Sequence, residues 1–186
     1  GNMRGQSMPG TTKIPNPYLP ATGTNKCIGA WYDPVGYQII SFNYNSGGVH
    51  GIYVFNTVTG AWQAAIQIGA GTDGDVLGFT PSPLITSVNM LYTEATDGNL
   101  LFYIDTLGRP TVFNLTRYLS APPTLIKRSY LDLAKAPPLM PPQVTYENDY
   151  TTQINDLKNF LFQFTYRFVY SDYEKSVWST GSIVSL

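Results

Sequence analysis

Phe160-Leu161-Phe162-Gln163-Phe164-Thr165-Tyr166-Arg167-Phe168-Val169-Tyr170 places an aromatic residue at every second position, with Gln163, Thr165 and Arg167 between them. Successive side chains of a strand point to opposite faces, so this stretch writes one aromatic face and one largely polar face. A helix would scatter the rings around its circumference, and the aromatic and β-branched enrichment agrees with a strand. Phe160, Phe162, Phe164, Tyr166, Phe168 and Tyr170 are therefore expected as a core-facing aromatic strand that needs a partner sheet. After the acidic turn Ser171-Asp172-Tyr173-Glu174-Lys175, a Ser-rich final strand from Ser176 to Leu186 completes a hairpin.

The rest of the chain repeats the β theme. From Cys27 the pattern predicts strands over 27–32, 37–44, 51–56 and 62–68, separated by Asp33-Pro34-Val35-Gly36, Asn45-Ser46-Gly47-Gly48 and Thr57-Val58-Thr59-Gly60. A second round follows over 87–93, 99–105 and 110–115. Tyr53-Val54-Phe55-Asn56 and Thr111-Val112-Phe113-Asn114 close corresponding strands, about 58 residues apart. Four-stranded units at such a period are the mark of propeller blades, which need several copies to bury their faces. The fold class expected is thus all-β, with propeller-like four-stranded meander repeats followed by a β-sandwich-like hairpin segment.

Proline divides this plan. Residues 1–24, with Pro9-Gly10, Pro15-Asn16-Pro17 and Leu19-Pro20, read as an extended arm that adheres to neighbours. Residues 25–119 form the two blade repeats. Residues 120–142, carrying Pro122-Pro123, Pro137-Pro138 and Pro141-Pro142, read as a linker, and 143–186 as the terminal β segment. A short helix is expected in the polar run from Glu147 to Asn155.

Composition narrows the function. Of 186 residues only 12% are charged and 14% are aromatic, against a charged share of roughly a quarter in typical soluble proteins. A net charge of -1 gives no basic footprint, so nucleic acid is not an expected partner. Many Tyr, Gly and Asn with few Lys and Glu suit surfaces that contact other protein. One cysteine, Cys27, leaves no internal disulfide. No apolar run approaches the roughly 18 residues of a membrane helix, so a membrane is not an expected partner either. Both ends, Gly1-Asn2-Met3-Arg4-Gly5 and Ser182-Ile183-Val184-Ser185-Leu186, read as cuts through a longer polypeptide.

No catalytic set stands out. His50 is the lone histidine and has no nucleophile signature beside it, which favours a structural role. Cys27 lies in an apolar strand, where a thiol acts as a small hydrophobe. Gly71-Thr72-Asp73-Gly74-Asp75 lacks the ligand order and closing Glu of an EF-hand loop and reads as a solvated turn. Glu147/Asp149 and Asp172/Glu174 flank turns with no desolvating pocket. Trp31, Tyr37, Trp62 and Tyr92 are candidate contacts for a glycan or a partner, weighed against a packing role between blades. No metal or cofactor is expected.

The segments Asn25-Lys26-Cys27-Ile28-Gly29-Ala30-Trp31, Ile39-Ile40-Ser41-Phe42-Asn43-Tyr44-Asn45-Ser46 and His50-Gly51-Ile52-Tyr53-Val54-Phe55 resemble the opening blade of tail-associated proteins of crAss-like and related Bacteroidetes phages. Phe164 to Asp172, with Ser176 and Trp178-Ser179, resembles the fibronectin-III-like module that follows the propeller there. The departures are length: about 50 residues follow Pro137 where a sandwich takes roughly 100, and two blades stand where at least about four close a ring. The resemblance implies a non-enzymatic virion component, in a tail, nozzle or portal-proximal position, whose partners are other virion or tail proteins and homo-oligomeric ring neighbours. The alternative is a carbohydrate-binding module of a gut bacterial surface protein, with glycans bound on exposed rings.

Overall fold

In the computed structural model, which describes residues 14–69, 71–93, 98–145, 150–151, 160–170 and 174–184, the protein is predominantly β. The alternation Ile40-Ser41-Phe42-Asn43 sits in the second strand of an antiparallel meander. That meander runs β1 (Asn25–Asp33), β2 (Gln38–Asn45), β3 (Gly51–Asn56), β4 (Trp62–Gln67), each strand pairing with the next. A second meander joins β5 (Val88–Leu91), β6 (Leu100–Ile104) and β7 (Pro110–Asn114). Two short helices follow, α1 (Leu115–Ser120) and α2 (Arg128–Leu131).

Turn chemistry explains why the two meanders resemble one another. Asn45 ends β2, and its side-chain oxygen accepts from the Gly47 N–H while its carbonyl accepts from Gly48. Asp105 follows β6 and repeats the device: its carboxylate accepts from the Leu107 N–H and its carbonyl from Gly108. Gly48 and Gly108 both adopt positive φ, 82° and 76°, which a side chain would resist. The next pair diverges. Asn56 accepts from the N–H of Thr59 and Asn114 from the N–H of Arg117, both three residues on. Thr57-Val58-Thr59-Gly60 are poor helix formers, and the chain turns back into β4. Leu115, Tyr118 and Leu119 have helical spacing, so Asn114 becomes the N-cap of α1. A helix thus stands where a four-stranded repeat calls for a further strand.

Both meanders share one core. The inward faces contribute Ile40, Phe42, Ile52 and Val54 from the first and Met90, Leu101, Tyr103 and Phe113 from the second. Phe42 meets Tyr103 at 4.9 Å between ring centroids, and Phe79, from the connection between the sheets, packs edge-on against both. The connection also buries Val76, Leu77 and Ile85.

Two segments differ from the sequence reading. Residues 14–24 of the expected adhering arm lie on the chain's own first sheet. Thr24 exchanges hydrogen bonds with Ser46, the Gln67 amide donates to the Tyr18 carbonyl at 3.0 Å, and the Tyr18 ring stacks on Tyr53. Residues 120–142, read as a linker, bury Ile126 and Leu131 in the common core. Prolines end local elements there, but the apolar residues between them still seek the nearest dry surface.

The terminal hairpin pairs in an unusual way. Phe164, Tyr166 and Phe168 each receive a backbone bond from Ser182, Ser179 and Ser176 in turn. Each aromatic residue's own N–H donates to the same serine's hydroxyl oxygen at 2.9–3.1 Å. Two residues on one side therefore match three on the other, and a hydroxyl stands in for the carbonyl that the longer period displaces. The final segment is thus not a regular β-strand; among the described residues its one bridge joins Val169 and Lys175. The rings do share a face, since Phe160, Phe162 and Phe164 follow one another at 6.2 Å, and Tyr166 and Phe168 stand 6.1 Å apart. That face is not core. Phe160, Phe164, Tyr166, Phe168 and Tyr170 are 37–63% exposed, because the two meanders close their core without them. Arg167 lies on the opposite face, over the Trp178 ring at 4.5 Å. Lys135 ties the hairpin to the body through its carbonyl, which accepts from Val177, and its ammonium, 3.1 Å from Glu174.

Leu131→Ala is expected to cost about 2–5 kcal/mol in urea unfolding, whereas Leu139→Ala, at a side chain 98% exposed, should stay within about 0.5 kcal/mol. A free linker at 120–142 would instead leave both variants near wild type. Ser179→Ala removes the acceptor of the Tyr166 N–H, and exchange of that amide should quicken about tenfold in hydrogen-exchange measurements.

Candidate functional site

Asp33 closes β1 in the turn Asp33-Pro34-Val35-Gly36 and its side chain is wholly buried. One carboxylate oxygen accepts from the N–H groups of Val35 and Gly36, both at 3.0 Å, and from the Tyr92 hydroxyl. The other accepts from the Gln38 amide at 2.8 Å. A Cβ at position 36 would lie 2.5 Å from the carboxylate, so a larger residue there would push the Asp33 side chain out of place. Desolvation pushes the Asp33 pKa up, but the bonds from Tyr92, Gly36, Gln38 and Val35 outweigh it and hold the group below its ordinary value. Burial, together with the neighbouring carboxylate, raises Tyr92 to about 12.

Tyr37, next to this hub, has φ of +49°, a left-handed conformation that costs a non-glycine residue about 1–2 kcal/mol. Thr57 holds it there, since its N–H and hydroxyl both donate to the Tyr37 carbonyl, at 2.8 and 2.7 Å. The Tyr37 ring is 58% exposed. Beyond Gln38 opens a groove of about 380 Å³ between β2, β4 and α1, rimmed by Gln38, Gln63, Asn99, Thr116 and Ser120. Leu115 and Leu119 supply its apolar part. Every polar group on the rim is uncharged.

The four candidate rings do not form one platform. Register puts Trp31 opposite Ile40 on the core-facing side of the first sheet, where it packs against the core. Trp62 lies opposite Phe55 on the outer side, its ring 5.0 Å from that of Phe55 and its buried Nε1 without a partner among the described residues. Tyr92 is committed to Asp33, and Tyr37 stands alone at the turn.

The remaining candidates are structural. His50 is buried, accepts from the Asn45 N–H at Nδ1 and stacks on Tyr44. Desolvation lowers its pKa and Asp75, 3.6 Å from Nε2, partly counters this, so the ring is neutral at pH 7 with its proton on Nε2. Asp75 also accepts from the Gly78 N–H, and Asp73 donates its own N–H to Ile126, so the glycine loop braces the core. Cys27 is exposed rather than buried, its thiol 3.3 Å from the Gly29 carbonyl. Glu147, Asp149 and Asp172 lie outside the described residues. Among the described residues no group of three His, Cys, Asp or Glu stands close enough to hold a metal ion.

Sequence reasoning passed over Asp33, Gln38 and an ionic cluster gathered on the buried Asp105. In that cluster the Asp105 carboxylate receives Arg109 at 2.7 Å and Arg128 at 3.4 Å, and Arg128 also meets Asp132 at 2.9 Å. Its signal was present: an Asp followed three residues later by Gly marks a turn whose carboxylate is consumed by backbone N–H groups. Such an Asp holds backbone and is not free for catalysis. What the arrangement offers, among the described residues, is hydrogen bonding and shape.

Compared with protein families, with curated proteins and with solved structures, the chain matches none.

Because Asp33 is more acidic in the folded chain than when unfolded, its contribution to stability is full above about pH 4 and is lost as pH falls through the lowered native pKa. Tyr92→Phe removes one of the bonds responsible. It should cost about 1 kcal/mol at neutral pH, discounted for the partial exposure of Tyr92, and bring the acid loss to higher pH. Urea midpoints from pH 2 to 7 check this; coincident wild-type and variant profiles would sink it.

Proposed function

We propose that this chain is a non-enzymatic structural segment of a phage particle, within a tail, nozzle or portal-proximal component, and that it works through protein–protein assembly. The observation that carries the reading is the aromatic face from Phe160 to Tyr170. Five of its rings are 37–63% exposed, on a backbone held by three serine hydroxyls. Exposed rings on a fixed backbone lose little conformational freedom when a partner covers them, which is what an assembly surface requires.

Further support comes from the low charge density and from the resemblance of both halves to tail-associated proteins of Bacteroidetes phages. On this reading the two meanders are propeller-like blades, joined in the particle by others, and the Ser-ladder hairpin is part of a fibronectin-III-like module. The partners are virion proteins, including neighbouring copies in a ring, and the location is the virion. The alternative glycan platform built on Trp31, Trp62 and Tyr92 is less well supported, because Trp31 and Trp62 belong to opposite faces of one sheet.

Immunogold electron microscopy of purified phage, with antibodies against the chain, should label one end of the particle. A variant carrying Phe164→Ser, Tyr166→Ser and Phe168→Ser should keep its β circular dichroism yet fail to enter particles. Label confined to bacterial cell surfaces, or normal incorporation of the triple variant, would overturn the reading.

A further inference from the structure

We propose that the groove between β2, β4 and α1 binds an uncharged, hydroxyl-rich ligand, a neutral oligosaccharide segment. This stands apart from the assembly reading, and neither depends on the other.

The rim carries three side-chain amides and two hydroxyls, from Gln38, Gln63, Asn99, Thr116 and Ser120. Amides and hydroxyls both donate and accept, as sugar hydroxyls do, and one amide can pair with two adjacent hydroxyls. Leu115 and Leu119 offer an apolar patch for the C–H face of a sugar ring. Among the described residues that line the groove none carries a charge to pair with a charged ligand. The neighbouring carboxylate, Asp33, is buried and already accepts four hydrogen bonds.

Preorganisation separates this groove from ordinary polar surface. The Gln38 Nε2 is committed to Asp33, which fixes the amide plane and leaves Oε1 as an acceptor without a donor among the described residues. The Gln63 and Asn99 amides likewise have no side-chain partner among the described residues, and so remain available. Tyr37, in its strained conformation, sets the backbone immediately before Gln38. The volume of about 380 Å³ falls within the usual range of small-ligand sites, and the groove lies on the seam between the two meanders.

The test is a ¹⁵N NMR titration of the whole 186-residue chain with maltohexaose, cellohexaose, xylohexaose and mannohexaose, and with an oligogalacturonate as the acidic control. Each probe is taken to about 10 mM, above the millimolar dissociation constants of shallow open sites. At least one neutral probe should shift the Gln63 and Asn99 side-chain NH₂ signals saturably. Gln63→Ala and Asn99→Ala should each weaken binding about tenfold, while Trp62→Ala, on the outer side of the sheet, should leave it unchanged. Backbone spectra of the variants establish that they are folded. Absence of saturable shifts with all four neutral probes would overturn the proposal. So would a stronger response to the oligogalacturonate, or binding that Trp62→Ala abolishes and the amide variants retain. The immunogold result is independent of every one of these outcomes.

Discussion

Phe42 of β2 and Tyr103 of β6 press ring against ring, with Phe79 wedged beside them. Neither meander can bury its apolar face alone, since a small open sheet leaves one side wet unless another layer covers it. The aromatic contact is where each covers the other. Other elements of the body serve it: the connection from 69 to 87 fills the gap with Val76, Leu77 and Ile85, and α1 and α2 seal the rim with Leu115, Tyr118 and Leu131.

Polar side chains then set where each strand stops. Asn45, Asn56, Asp105 and Asn114 all spend a side-chain oxygen on the backbone N–H groups just beyond a strand, and Asp33 does so at the end of β1. The same chemistry yields a tight turn or a helix according to the residues that follow. It also explains where the polar groups buried at these strand ends are spent. Those groups are consumed in holding backbone, and the carboxylate of Asp33 is kept ionised by the donors that hold it.

The hairpin obeys a different rule. Its serines at 176, 179 and 182 recur every third residue, while the aromatic residues they serve recur every second. A backbone ladder cannot accommodate that mismatch, and the hydroxyls repair it one residue at a time. The outcome is a firm edge of the molecule whose aromatic face takes no part in the body's core.

What the sequence determined by itself was local. Alternation placed β1 to β4 and β5 to β7 within about two residues, because side-chain periodicity and turn residues act over short stretches of chain. The all-β class, the repeat around Val-Phe-Asn and the shared face of the 160–170 rings followed from the same signals. Tertiary structure decided which faces would be dry. Alternation alone could not reveal that Ile126 and Leu131 enter the core while Phe164 and Phe168 stay outside, because apolar character does not say which surface arrives first. Nor could it show that Trp31 and Trp62 face opposite ways, or that Gln38, Gln63 and Asn99 meet at one groove. Those relations span tens of residues, and only the register of the strands and the packing of the two meanders bring them about.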